Sequence, residues 1–332
     1  MALLVFSNIG FESPKYTVQQ DGVYKVDMNL DITGQPADAS QTFTGSLMTD
    51  PSTTFLSSVS QYGSRKTVQI SDLVFLTKGT ELSAKLSSSN NLDGRSFAGG
   101  YSVYFLESLA DTFGIHSRLS SNFQINQVNQ WVAVDSNWVA TNAQFAVNAD
   151  AAPYTIPVDG IYLMSFTATF DRVDFGVRAA IYIVTASSST INGDNAQGKL
   201  TSSSSSSETL VLHTAVHLKA GDQVSFRIFA ESGEGSVTLL QDRTRRSIVQ
   251  IEGSFSELSE GASMYLPVDI PRFIGVGERL IPNNWQQGDS YPGTFIAKNV
   301  TFGPSGEIVV LRPGVFHVTM NVIIKNWDVT PR

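Results

Sequence analysis

The sequence predicts an all-β protein made of antiparallel sandwiches in tandem. Apolar and polar residues alternate over long stretches, which is the period of a half-buried strand. A strand–turn–strand phrase recurs along the chain, and no stretch of helical period competes with it. In the first such stretch Tyr24, Val26, Met28, Leu30 and Ile32 share one face, and Lys25, Asp27, Asn29 and Asp31 share the other. In the second, Tyr162, Met164, Phe166, Ala168 and Phe170 oppose Ser165, Thr167 and Thr169. In the third, Phe316, Val318, Met320, Val322 and Ile324 oppose His317, Thr319 and Asn321. A slip of one residue would expose each apolar set, so register is firmly specified.

The recurring phrase is Tyr16-Thr-Val-Gln-Gln-Asp-Gly22-Val-Tyr24, then Tyr154-Thr-Ile-Pro-Val-Asp-Gly160-Ile-Tyr162, then Ile308-Val-Val-Leu-Arg-Pro-Gly314-Val-Phe316. Gly22, Gly160 and Gly314 are expected where φ is positive or the backbone is crowded. Tyr24, Tyr162 and Phe316 open the strands that follow and are expected in the core. Leu76-Thr-Lys-Gly79-Thr-Glu-Leu82 matches Leu218-Lys-Ala-Gly221-Asp-Gln-Val224, and Phe97 to Tyr101 matches Ile251 to Phe255. Trp131-Val-Ala-Val-Asp135-Ser136 matches Trp285-Gln-Gln-Gly-Asp289-Ser290.

These matches divide the chain into a unit lacking its first strands (1–109), a joining segment (110–129), a complete unit (130–257) and the front half of a third unit (258–332). Two stretches read as loops on composition alone, the six serines Ser202 to Ser207 and the segment Thr33 to Ser40.

The 332 residues carry 22 Lys plus Arg against 30 Asp plus Glu, a formal charge of −8. That balance is wrong for a nucleic-acid partner, which needs a basic face, and for a polybasic membrane site. Cysteine is absent, which excludes disulfide scaffolds, thiolate zinc sites and a Cys nucleophile. No apolar run approaches the roughly 18 residues of a membrane span. The opening MALLVFSNIGFESPKY has no basic n-region and too short an apolar run for a secretory leader, so a secreted protein would have its leader outside this sequence.

The second unit, with PYTIPVDGIYLMSFTATF, LKAGDQVSFRIF and IVQIEGSF in that order, resembles the jelly-roll superfamily of complement component 1q and tumour necrosis factor. The first unit shares three of these elements and the third shares the front half. The resemblance implies two-sheet jelly rolls, an extracellular setting and a non-enzymatic role in binding or assembly. It also implies trimers packed on the outward face of the strand after the turn glycine. Here that face carries Lys25, Asp27, Asn29, Asp31, Ser165, Thr167 and Thr169. Burying such groups unpaired at a three-fold axis would cost about 1–3 kcal/mol each, which argues against the usual trimer.

Candidate chemical residues are few. His213 and His217 share a strand face, and His116 and His317 complete the four histidines. Two histidines on one face could begin a zinc site, but a polar outer face is the expected role. Asp171 and Asp174 flank a turn with Arg172 between them, too few oxygens for calcium by themselves. Asp135 and Asp289 recur in register, as turn caps. Asn299-Val-Thr301 is a glycosylation sequon that acts if the chain is secreted and the site exposed. Arg243, Arg245 and Arg246 beside Asp242 read as a loop or a salt-bridged edge. No Gly-x-Ser-x-Gly elbow and no convergent nucleophile–base pair is present, so neither an enzyme nor a cofactor is expected.

The function expected is an extracellular structural protein that polymerises with itself into a fibre or matrix, by head-to-tail completion of its partial units. A heterologous contact of that kind gives filaments unless its rotation closes a ring. The alternatives are a lectin-like module that binds a protein or glycan ligand, and a viral surface jelly-roll protein.

Overall fold

The computed structural model describes residues 15–34, 42–49, 54–61, 65–88, 95–107, 114–141, 148, 150–171, 176–185, 193–200, 207–231, 236–252, 300–302 and 308–311. Strands fill most of them, and none of the described residues is helical.

The first sandwich contains β1 (Tyr16–Thr17), β2 (Gly22–Gly34), β3 (Thr42–Met48), β4 (Thr54–Gln61), β5 (Arg65–Leu76), β6 (Glu81–Ser88) and β7 (Arg95–Glu107). One of its sheets runs β5-β2-β7 and the other β1-β6-β3-β4, all antiparallel. The apolar face predicted for β2 lies inward. Tyr24, Val26, Met28, Leu30 and Ile32 pack with Phe43 and Leu47 of β3, Val68, Ile70 and Val74 of β5, and Leu82 and Ala84 of β6. Gly45 lets the two sheets approach. A Cβ there would run into Met28 and Val68.

The second sandwich contains β8 (Gly114–Leu119), β9 (Phe123–Ile125), β10 (Trp131–Ala133), β11 (Trp138–Ala140), β12 (Tyr154–Thr155), β13 (Gly160–Asp171) and β14 (Val177–Val184). It continues with β15 (Gly193–Leu200), β16 (Glu208–Leu218), β17 (Gln223–Ala230), β18 (Val237–Leu239) and β19 (Arg245–Glu252). Strand β13 lies between β16 and β19, β8 covers the far edge of β19, and β11 covers β8. In the opposing sheet β17 pairs β14, which pairs β15, while β10 and β12 share the other edge of β17. Burial along β16 and β17 alternates as the sequence predicts. A short hairpin, β20 (Val300–Phe302) with β21 (Ile308–Val310), completes the described strands.

Both sandwiches have the jelly-roll order, in which, from β1 to β7 and from β12 to β17, the chain passes between the two sheets at every step except the β3–β4 and β14–β15 hairpins. Strands β2, β3, β4, β5, β6 and β7 take the places of β13, β14, β15, β16, β17 and β19. The correspondence extends to single hydrogen bonds. Tyr24 Oη donates to Gln20 O at 2.7 Å, and Tyr162 Oη to Val158 O at 2.8 Å. Asp21 accepts from Lys78 N at 2.6 Å, and Asp159 from Ala220 N at 2.8 Å. Val18 exchanges backbone bonds with Gly79 and Thr80, and Ile156 with Gly221 and Asp222. The ladders on β7 and β19 both shift register just before the tyrosine, at Val23/Tyr24 and Ile161/Tyr162.

Two expectations change, on the joining segment and on the arginine cluster. Gly22 and Gly160 are buried where their strands open, and the positive φ falls on Gly79 and Gly221, at 87° and 91°. What recurs before the turn glycine is an aspartate that clamps the neighbouring loop. The joining segment 110–129 contains β8 and β9, which hydrogen-bond to β19 and β18 of the second sandwich. Ile115, Leu119 and Ile125 enter its core, so apolar burial draws these short runs into the sheet. Arg245 and Arg246 lie on strand β19 rather than in a loop. Arg246 is buried because its guanidinium stacks on Trp138, 4.4 Å from the ring centroid, and Nη2 donates to Ala151 O at 2.8 Å.

Candidate functional site

The two sandwiches meet along a seam in which β4 and β5 of the first, with Val23 of β2 and Leu106 of β7, lie against β13, β16 and β19 of the second. Of the outward polar residues that argue against a trimer, Lys25, Ser165, Thr167 and Thr169 are buried. At one end of the seam Val23, Leu73, Phe75, Leu163 and Val249 are buried together, with Leu106 and Ala215 against them. Removing such side chains from water is worth about 1.5–3 kcal/mol each. Strand β5 lies across β13, β16 and β19, and β4 lies on β16.

Beside this apolar contact runs a buried polar network. Asp72, on β5, the end strand of its sheet among the described residues, is 1% exposed. It accepts hydrogen bonds from Ser247 Oγ of β19 at 2.6 Å and from Leu73 N at 2.8 Å. His116 Nε2 of β8 lies 3.5 Å from its other oxygen, and His116 Nδ1 meets Thr141 Oγ1. Burial alone would raise the Asp72 carboxyl, but His116, Ser247 and Arg245 together hold it well below the usual carboxylate range. Burial pulls the Arg245 guanidinium down, and Asp72 opposes that pull.

Lys25 departs furthest from expectation, being 1% exposed. Its Nζ donates to Asp27 Oδ1 at 2.7 Å and contacts Ser71 Oγ, which also bonds Asp27. Burial lowers the Lys25 pKa. The Lys25 charge and hydrogen bond outweigh the burial of Asp27 and keep that carboxyl depressed. Ser165 Oγ of β13 donates across the seam to Ser71 O at 3.1 Å. Lys25, Ser165, Thr167 and Thr169 are therefore buried, Asp27 and Asp31 are half-buried and Asn29 is exposed, and the pairing of Lys25 and Ser165 removes the penalty expected for burying them alone.

Tyr24 and Tyr162 sit in the two cores at 1% and 0% exposure. His213 and His217 are half-buried on one face of β16, with His213 lying toward the Asp27 side of the seam. Among the described residues no three His, Asp or Glu converge on a metal position. Asp135 is exposed, and Asp171 meets Ser207 Oγ at 3.4 Å. Asn299, Gly314, Phe316, His317, Asp174, Arg172, Asp289 and most of the serine run lie outside the described residues.

Asp72, Ser247 and Thr141 are not singled out by the sequence. One signal was present. Val68, Ile70, Val74 and Leu76 set an apolar register, and Asp72 interrupts it.

No protein-family model matches the sequence, and no curated protein matches it. Solved structures of similar fold include the Eiger TNF of S. frugiperda, at 14% identity and a TM-score of 0.33, covering 48% of this chain and 98% of that one. The globular domain of zebrafish complement 1qA matches at 19% identity and a TM-score of 0.25, covering 42% of this chain and 94% of that one. The VP2 subviral particle of infectious bursal disease virus matches at 9% identity and a TM-score of 0.28, covering 76% of this chain and 71% of that one.

Proposed function

We propose that this chain is a non-enzymatic structural protein, extracellular in setting, whose tandem jelly-roll units assemble with further copies into a fibre or matrix. The observation that carries the reading is the asymmetry of the seam. The β4–β5 edge of the first sandwich rests on the β13–β16–β19 face of the second. Apart from β5 against its counterpart β16, the strands that meet are not equivalents of one another, so the contact is heterologous and able to repeat.

A second feature supports the reading. Strand β19 is covered by β8, whereas the described residues pair β7 on its β2 side alone. Phe105 on β7 is 40% exposed. A strand edge without a partner among the described residues is a template for pairing with another segment, which fits head-to-tail completion of partial units.

The trio Thr141, His116 and Asp72 has the residue types of a hydrolytic triad. Asp72 and His116 are each about as buried as core side chains, at 1% and 2% exposure. The group serves the seam, and catalysis is not its role. Negative-stain electron microscopy and sedimentation across a dilution series test the assembly. Rods or lattices, with mass rising with concentration, are expected. A monodisperse monomer at every concentration overturns the proposal.

A further inference from the structure

A small cleft opens on the outer face of the second sandwich, away from the seam. Strands β10 and β12 border the same edge of β17, and the cleft of about 180 Å³ lies where they part. Val134, Ala152, Pro153 and Val184 give it an apolar lining, and Asp135 and Arg227 bring one charge of each sign.

Arg227 is held before any ligand arrives. Its guanidinium stacks 3.7 Å from the Tyr182 ring centroid, and Nε donates to Ser225 Oγ at 3.2 Å. That fixes the planar fork while leaving the Nη groups for an anion. Among the described residues neither Arg227 nor Asp135 forms an ion pair, although both line the cleft. Drug-sized ligands occupy about 300–1,000 Å³, so this cleft takes something smaller. A neutral sugar would leave both charges unmatched. An anion alone would face Asp135, and a cation alone would face Arg227.

We infer that the cleft binds a small zwitterion of the α-amino-acid class. The carboxylate sits on Arg227, the ammonium on Asp135, and a short apolar side chain lies over Pro153 and Val184. This inference does not rest on the assembly reading. Preorganised charges of opposite sign favour the doubly charged ligand over either half of it.

The test titrates the full chain with L-valine, isovalerate and isobutylamine, followed by calorimetry and by NMR shifts of residues around β17. L-valine is expected to saturate the site, and each half-molecule to bind about tenfold more weakly or worse, the loss of one charge-assisted bond. Asp135→Asn and Arg227→Gln should each weaken L-valine by about tenfold, whereas Arg227→Lys, which keeps the cation, should lose less. Equal binding by the half-molecules overturns the inference. So does unchanged affinity in Asp135→Asn, or no saturation by L-valine up to its solubility limit.

Discussion

Replacing Asp72 by Asn tests the seam most directly, because the change removes a charge while nearly preserving shape. Asp72 takes hydrogen bonds at 2.6 and 2.8 Å on one oxygen and faces His116 Nε2 at 3.5 Å with the other. An asparagine can keep its single oxygen on Ser247 and Leu73 N, which turns its amide toward His116. Two charge-assisted bonds then become neutral ones, at about 1 kcal/mol each. Arg245 also loses its counter-charge in a buried setting, adding about 1 kcal/mol or more. The total is about 3 kcal/mol. With a urea m-value of about 3 kcal/mol/M, the midpoint should fall by about 1 M. The pH dependence provides a second reading of the same group. A carboxyl depressed in the folded state contributes its stability fully above the unfolded pKa of about 3.9, and loses it as pH falls through the folded value. Wild type should therefore weaken as the medium is acidified below that point, and Asp72→Asn should show a flatter acid limb. A midpoint shift under about 0.2 M, or parallel acid limbs, would refute the assignment of Asp72 as the electrostatic centre of the seam.

Other outcomes follow from features in the cores and at the seam. Tyr24→Phe and Tyr162→Phe should each cost about 1 kcal/mol in chemical denaturation, since each deletes one hydrogen bond to a backbone carbonyl and keeps the ring. A large difference between the two would break their equivalence. Leu163→Ala empties a buried position between the sandwiches and should cost about 2–5 kcal/mol, with faster amide exchange on both sides of the seam. Gly114→Ala drives a Cβ into the Ile248 carbonyl, so β8 should lose protection against β19 in hydrogen exchange while β16 keeps it.

The strand plan was largely legible in the sequence because alternation with period two has few competing readings. Tyr24 to Ile32 and Tyr162 to Phe170 face the cores as their pattern requires. Strands β8 and β9 were harder, since three to six residues with polar neighbours look like a connection until β18 and β19 supply partners. The seam was least legible. A polar strand face looks the same in sequence whether it meets water or another polar face. Lys25 is satisfied by Asp27 two residues away and by Ser71 on the adjacent strand, a combination that pattern alone reads as solvated. Arg246 misled for a related reason. Its charge suggests a surface, but a ring above it and a carbonyl at its tip let it lie inside.

Asp72 and Ser247 stand 175 positions apart in the sequence yet belong to one polypeptide. Joining two binding surfaces covalently turns their encounter into an intramolecular event, with an effective concentration that reaches about millimolar for short connections. Contacts rich in hydroxyls and carboxylates, which separate copies make only at high concentration, can then stay closed within one chain at any dilution. Severed between β7 and β8, the two pieces should part on dilution, and the Asp72 carboxylate would return to water.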